Sequence, residues 1–304
     1  MSNKVNTEIN IAGIRMKNPV ITASGTYGFG REYAKFYDLS KLGGISVKGL
    51  TLKPREGNKP PRIAETPAGI LNSVGLQNPG IDVFLNEELP FLRGYDVAVI
   101  ANIAGNTIEE YCEMAERLAD KVDAVELNIS CPNVKEGGVA FGTKCDSVYN
   151  ITKQVKKYCK VPLIVKLSPN VTDIKEIAVA AEEAGADCLS LINTLLGMSI
   201  DIRTRRPVLA NVVGGLSGPA VKPVAVRMVW QAAQAVKIPI IGMGGITAWE
   251  DAVEFMLAGA DAIMVGTANF VNPYAPVEIL EGMRKYCEEN NFASMSDLKG
   301  KLEI

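Results

Sequence analysis

The chain has 304 residues, of which 47% are hydrophobic and 22% charged, apolar material enough for one large core. Its 32 basic and 34 acidic side chains leave a net charge of −2, which speaks against a nucleic-acid or anionic-membrane binder and favours small-molecule chemistry. Six cysteines (Cys112, Cys131, Cys145, Cys159, Cys188, Cys287) are scattered without a C-x-x-C pair and histidine is absent, so no metal site, neither structural zinc nor an iron–sulfur cluster, is expected in this chain.

The opening stretch "MSNKVNTEINIAG" has no basic region leading into an apolar one, and no apolar run approaches the ~18 residues needed to span a bilayer. A cytoplasmic protein with free thiols is expected. A hairpin candidate covers Glu8 to Met16. Short β-rich runs then alternate with helical patterns. The strand candidates are "PVIT" from Pro19, "GISV" from Gly44, "VAVIA" from Val97, "AVELN" from Ala124, "PLIVKL" from Pro162, "CLSLI" from Cys188, "IPIIGM" from Ile238 and "AIMVG" from Ala262. Helical periodicity is clearest over Thr107–Ala119, Ser147–Cys159, Thr172–Ala184, Lys222–Val236, Ala248–Leu257 and Pro276–Glu289. Thr107 or Asn106 is a candidate N-cap, Asp173 sits in a first turn, and "AGAD" at Ala184 and at Ala258 reads as a glycine stop leading into a strand.

Eight β-then-α units in roughly 250 residues are what a (β/α)8 TIM barrel requires, here with an N-terminal hairpin and long βα loops; a doubly wound sheet is the competing arrangement. No linker or shift of composition divides the chain, so one domain over residues 1–304 is expected. Two connections, Gly49–Asn78 and Leu196–Pro219, are long enough to be functional lids or added hairpins.

In such a barrel the strand C-termini and the loops after them surround the active site. Those positions hold Ser24, Lys48, Asn102, Asn128 with Cys131, Lys166, Asn193 with Thr194, Gly244-Gly245 and Gly266-Thr267. One asparagine alone is ordinarily a turn residue. Several of them at strand ends, with Asn72 in a long loop, point instead to a planar heterocycle whose N–H and C=O groups match carboxamides. Lys166 in "PLIVKLSPN" and Lys48 in "GGISVKG" stand among apolar neighbours, where a charge is kept only if it is used. Glu126 shares the inward parity of Asn128 and is expected to pair with an inward lysine. "GMGGIT" (Gly242–Thr247) and "MVGTA" (Met264–Ala268) end the seventh and eighth strands, where backbone N–H groups often hold a phosphate. Two glycine-rich stretches are decoys: "GGVAFGTK" places Thr143 before Lys144 with no strand leading in, and "GTYGFG" is not G-x-G-x-x-G.

"ELNISCPN" (Glu126–Asn133), supported by "ISVKGLTLKPREGNKPPRIAETPAGILNSVGLQNPG" (Ile45–Gly80), "LINT" (Leu191–Thr194), "GGLSGPA", "GMGGI" and "VGTA", resembles the class 1 dihydroorotate dehydrogenases over essentially the whole chain, and most closely the catalytic subunit of their NAD-linked type B. The resemblance implies an FMN-containing barrel that oxidises (S)-dihydroorotate to orotate in pyrimidine synthesis. It further implies that Ser24, Lys48, Gly49, Asn102, Asn128, Lys166, Ile192, Gly218, Gly244, Gly245, Gly266 and Thr267 contact FMN. The substrate would touch Lys48, Asn72, Ser73, Val74, Gly75, Leu76, Asn128, Asn133, Asn193 and Thr194. Cys131 would be the base that takes the C5 proton while a hydride leaves C6, and Lys166 would stabilise negative charge on the flavin. Residues 132–142 ("PNVKEGGVAFG") read as a flap over the substrate.

Type B resemblance also implies a separate electron-transfer subunit carrying FAD and a 2Fe–2S cluster, and a homodimer core within a heterotetramer. The rivals are the fumarate-using type A enzyme, an RNA-modifying flavin barrel of the dihydrouridine synthase kind, against which the net charge argues, and a flavin-free barrel binding a sugar phosphate.

Overall fold

The structure is a computed structural model that describes residues 5–129 and 141–303. The expected hairpin forms from β1 (Ile9–Ile11) and β2 (Ile14–Met16), paired antiparallel. All eight strand candidates then pair in parallel and in chain order: β3 (Val20–Thr22), β4 (Gly44–Ser46), β7 (Ala98–Ile103), β8 (Ala124–Asn128), β9 (Leu163–Lys166), β10 (Cys188–Leu191), β15 (Ile240–Met243) and β16 (Ala262–Val265). The last strand, β16, pairs with the first, β3, so the sheet is a closed barrel and not a doubly wound sheet.

Closure explains why these strands read as apolar runs. Helices cover the outer face and the barrel fills its own interior, so every residue of β3, β7 and β9 is buried. The helices over the barrel match the sequence patterns closely. Ile108–Leu118 starts at Thr107, whose hydroxyl oxygen accepts from the Glu110 N–H at 3.3 Å. Ile174–Glu183 starts at Asp173, a true N-cap whose carboxylate accepts from the Lys175 N–H at 2.8 Å.

Along the barrel axis the inward residues change character. Ile21, Ala98, Ile100, Ala124, Ile164, Cys188 and Ile241 pack with Ile9, Ile11, Ile14 and Met16 of the hairpin, which closes the N-terminal end with hydrocarbon. Two residues further along the same strands, at the same parity, come Asn102, Glu126, Lys166 and Ser190, all buried. The polar groups therefore gather toward the C-terminal mouth.

Of the two readings of the long connections, added hairpins rather than separate lids is the one that holds. Within them β5 (Ile63–Thr66), β6 (Gly69–Asn72), β11 (Leu195–Met198) and β14 (Val213–Ser217) form one antiparallel sheet in the order β11-β14-β6-β5, and β12 (Ile200–Asp201) pairs with β13 (Arg206–Pro207) beyond it. A helical segment over Ile81–Leu92, unforeseen in the sequence pattern, follows the first of these connections. Among the described residues no helix is long and apolar enough to cross a membrane.

Candidate active site

A cavity of about 230 Å³ opens at the C-terminal mouth of the barrel, roofed by the four-stranded sheet. Ser24 after β3, Lys48 after β4, Lys166 at the end of β9, Ile192 to Thr194 after β10, Gly244 and Gly245 after β15, and Gly266 and Thr267 after β16 all line it. Asn72 and Val74 reach it from the far side, from β6 and the chain just after it.

Other expected site residues stand one layer back. Asn102 is fully buried beneath the cavity, and Gly49 packs on it: a Cβ at Gly49 would lie 3.0 Å from Asn102 Oδ1. Asn128, half-buried, donates to Asn102 Oδ1 at 3.4 Å and accepts from Asn193 Nδ2 at 3.3 Å. Gly218 backs Gly245, since a Cβ there would come within 2.9 Å of the Gly218 carbonyl. Gly75 packs against Asn58, and Leu76 lies beside Gly49. Ser73 Oγ is buried with no hydrogen-bond partner among the described residues. Cys131 and Asn133 lie outside the described residues, as does most of the expected flap; its described end, Gly142, sits against the Ile129 carbonyl.

Glu126 is fully buried, and its carboxylate accepts from Ser46 Oγ at 2.7 Å, Asn102 Nδ2 at 2.6 Å and Ser190 Oγ at 2.7 Å. Neutral donors thus hold it where a lysine was expected. Tyr111 supports the amide layer from behind, its hydroxyl donating to the Asn128 carbonyl at 2.8 Å. Asn170, which the sequence pattern did not single out, donates to the Thr194 carbonyl at 2.9 Å and accepts from the Leu196 N–H at 3.0 Å, fixing the loop after β10.

Two cations meet the cavity. Lys166 is 5% exposed. Burial, and secondarily the charge of Arg62, hold the Lys48 ammonium below the usual lysine value. Opposite them, Gly244 and Gly245 take φ of 125° and 82°, a path that a side chain would obstruct, because a Cβ would fall 2.9 Å from Ala225 Cβ and 2.8 Å from Lys222 Cβ. Thr267 Oγ1 donates to Ser217 Oγ at 2.9 Å, tying the loop after β16 to the roof. The cavity thus combines positive charge, carboxamides and exposed glycine backbone. It also has apolar walls from Ile63, Ile70, Leu216, Met243, Met264 and Phe270; of these only Phe270 lies outside the motifs.

The family model for dihydroorotate dehydrogenase matches residues 6–286. The chain belongs to the dihydroorotate dehydrogenase family. Its relatives include the protein named dihydroorotate dehydrogenase B (NAD(+)), catalytic subunit, of Thermoanaerobacter sp., 58% identical over 301 residues that cover 99% of this chain and 100% of that one. The proteins of the same name from Alkaliphilus metalliredigens and Desulforamulus reducens are each 60% identical, over 98% and 99% of this chain and 99% and 100% of theirs. Membership in the dihydroorotate dehydrogenase family points away from the RNA-modifying barrel, and the closed barrel with its polar mouth is the fold expected of it.

Proposed function

We propose that this chain, as one FMN-binding barrel domain, oxidises (S)-dihydroorotate to orotate in pyrimidine synthesis, as the catalytic subunit of an NAD-linked dihydroorotate dehydrogenase. The observation that carries this is the cavity itself: two buried or half-buried lysines, carboxamides and glycine backbone face one space, in a chain so similar to relatives bearing that name.

The residues present suit FMN. The backbone N–H groups of Gly244, Gly245, Gly266 and Thr267 donate to no carbonyl or side chain among the described residues, which suits a phosphate. Lys166 would supply positive charge to the bound ring system, and the Asn102–Asn128 layer would offer it carboxamide donors and acceptors. When bound, FMN supplies the hydride acceptor.

Oxidation of the C5–C6 bond breaks C5–H and C6–H: the C5 proton passes to the Cys131 thiolate, the C6 hydrogen leaves with its electron pair as hydride, and the remaining pair forms the double bond. Asn72, Asn193 and Thr194, with Asn133, hold the amide edge of the substrate, and Lys48 faces its carboxylate. The orphaned Ser73 hydroxyl lies on the same segment as Asn72 and Val74. Holding the ring in one plane removes much of the orientational part of the barrier.

Electrons then pass to NAD through a partner subunit carrying FAD and a 2Fe–2S cluster, with a homodimer of this chain as core. The direct test is anaerobic. The purified chain is expected to be yellow, and dihydroorotate should bleach its flavin absorbance; a colourless chain, or a flavin that dihydroorotate leaves oxidised, would sink the reading.

A further inference from the structure

We propose that Glu126 is a positioning residue that fixes the donor–acceptor direction of the three carboxamides, Asn102, Asn128 and Asn193, standing between the barrel floor and the ligand. The inference rests on the reading that these amides meet the flavin and orotate.

The three amides form one hydrogen-bonded file. Asn193 Nδ2 donates to Asn128 Oδ1 at 3.3 Å, Asn128 Nδ2 to Asn102 Oδ1 at 3.4 Å, and Asn102 Nδ2 to Glu126 Oε2 at 2.6 Å. At the other end the Thr194 N–H donates to Asn193 Oδ1 at 2.8 Å. A carboxamide has a donor end and an acceptor end of nearly the same shape, so a file of amides alone could run in either direction. Both ends of this file forbid reversal. A carboxylate only accepts, and a backbone N–H only donates. Turning any one amide over would set N–H against N–H or oxygen against oxygen in a partly buried layer.

Glu126 is itself held on both oxygens, Oε2 by Ser46 from β4 and Oε1 by Ser190 from β10, so strands on either side of β8 keep it in place. A glutamine here would have a donating end and could turn over wherever no neighbouring acceptor held that end. The carboxylate cannot. Its use is therefore a specificity device: it dictates which atoms of Asn193 and Asn128 a ligand edge meets, and so favours one arrangement of N–H and C=O groups in that ligand over its reverse.

Polarity and charge are separable by experiment. In Glu126→Gln the amide oxygen can take the place of Oε2, with its nitrogen donating to the Ser190 hydroxyl, so the direction survives although the charge is gone. Adding Ser190→Ala removes that acceptor and frees the glutamine to turn over. Adding Ser46→Ala instead deletes an equal buried hydroxyl but leaves the Ser190 acceptor. The orotate dissociation constant is to be measured from the flavin difference spectrum per bound flavin, with melting temperature and flavin content alongside. Glu126→Gln, Ser190→Ala and Glu126→Gln/Ser46→Ala are expected to bind orotate within about threefold of wild type, and Glu126→Gln/Ser190→Ala about tenfold or more weakly, a non-additive loss. Ser190→Cys, a weaker acceptor, replaces the alanine if that double variant does not fold. Additive small effects, equal losses in both double variants, or full loss in Glu126→Gln alone would each overturn the proposal. Wild-type protein that binds flavin but not orotate would instead overturn the reading of the site on which it rests.

Discussion

Five of the six cysteines lie among the described residues, and burial pushes every one of those thiols up: Cys159 and Cys287 to about 11, Cys188 well above the ordinary thiol value, and Cys112 and Cys145 in the same direction. None of them is suited to act as a base near neutral pH. Alkylation at pH 8 is therefore expected to map to Cys131 first, to be slowed by orotate, and to abolish flavin reduction while flavin stays bound. Modification of the half-buried Cys145 ahead of Cys131, read by mass spectrometry, would count against the assignment. Lys48 supplies a second titration. Its ammonium is disfavoured in the folded chain, so between its lowered value and the ordinary lysine value the unfolded chain binds more protons, and this group makes stability rise with pH across that window. Ligand binding should go the other way. As Lys48 loses its proton, orotate affinity is expected to fall at a lower pH than a surface lysine would dictate, and Lys48→Met should weaken binding about 10-fold or more and flatten this alkaline limb. An unchanged limb in the variant would assign it to another group.

Two antiparallel hairpins from connections more than a hundred residues apart make the roof, and their contact is close enough to test. Gly215 of β14 pairs with Asn72 of β6 on one side and Leu196 of β11 on the other. A Cβ at Gly215 would lie 2.1 Å from Thr194 Oγ1, so this glycine lets the roof come down onto a residue proposed to hold substrate. Gly215→Ala must displace Thr194. It is expected to raise KM for dihydroorotate about tenfold, with far-UV circular dichroism unchanged and a loss of roughly 1–3 kcal/mol of stability typical of overpacking. A KM within twofold of wild type would show that the roof yields without moving Thr194.

At the scale of the whole molecule, the proposed function puts hydride chemistry and NAD reduction on different chains. The chain alone should reduce its flavin with dihydroorotate yet reduce NAD only when its partner is added; fumarate reduction by the isolated chain would indicate the type A arrangement instead. Much of the architecture was legible beforehand, because closed-barrel strands are apolar on both faces and their helices carry caps such as Thr107 and Asp173 that act locally. The lysines, asparagines and glycines at strand ends were legible for the same reason: period-two alternation fixes which residues share an inward face, and chain order fixes which end is the mouth. The roof was not legible. Its strands are short, mostly half-buried and interrupted by glycine, and β6 pairs with β14 across more than a hundred residues of chain. Nor could alternation say what an inward Glu126 would meet, since Ser46 and Ser190 come from other strands. The sequence by itself determined the barrel, its polar mouth and the family. Only the tertiary structure decided that the two long connections form one sheet over a single cavity, and that a carboxylate on the floor orders the amides above it. Local periodicity is written in neighbouring residues, whereas hydrogen bonds across the barrel join side chains that only the closed fold makes neighbours.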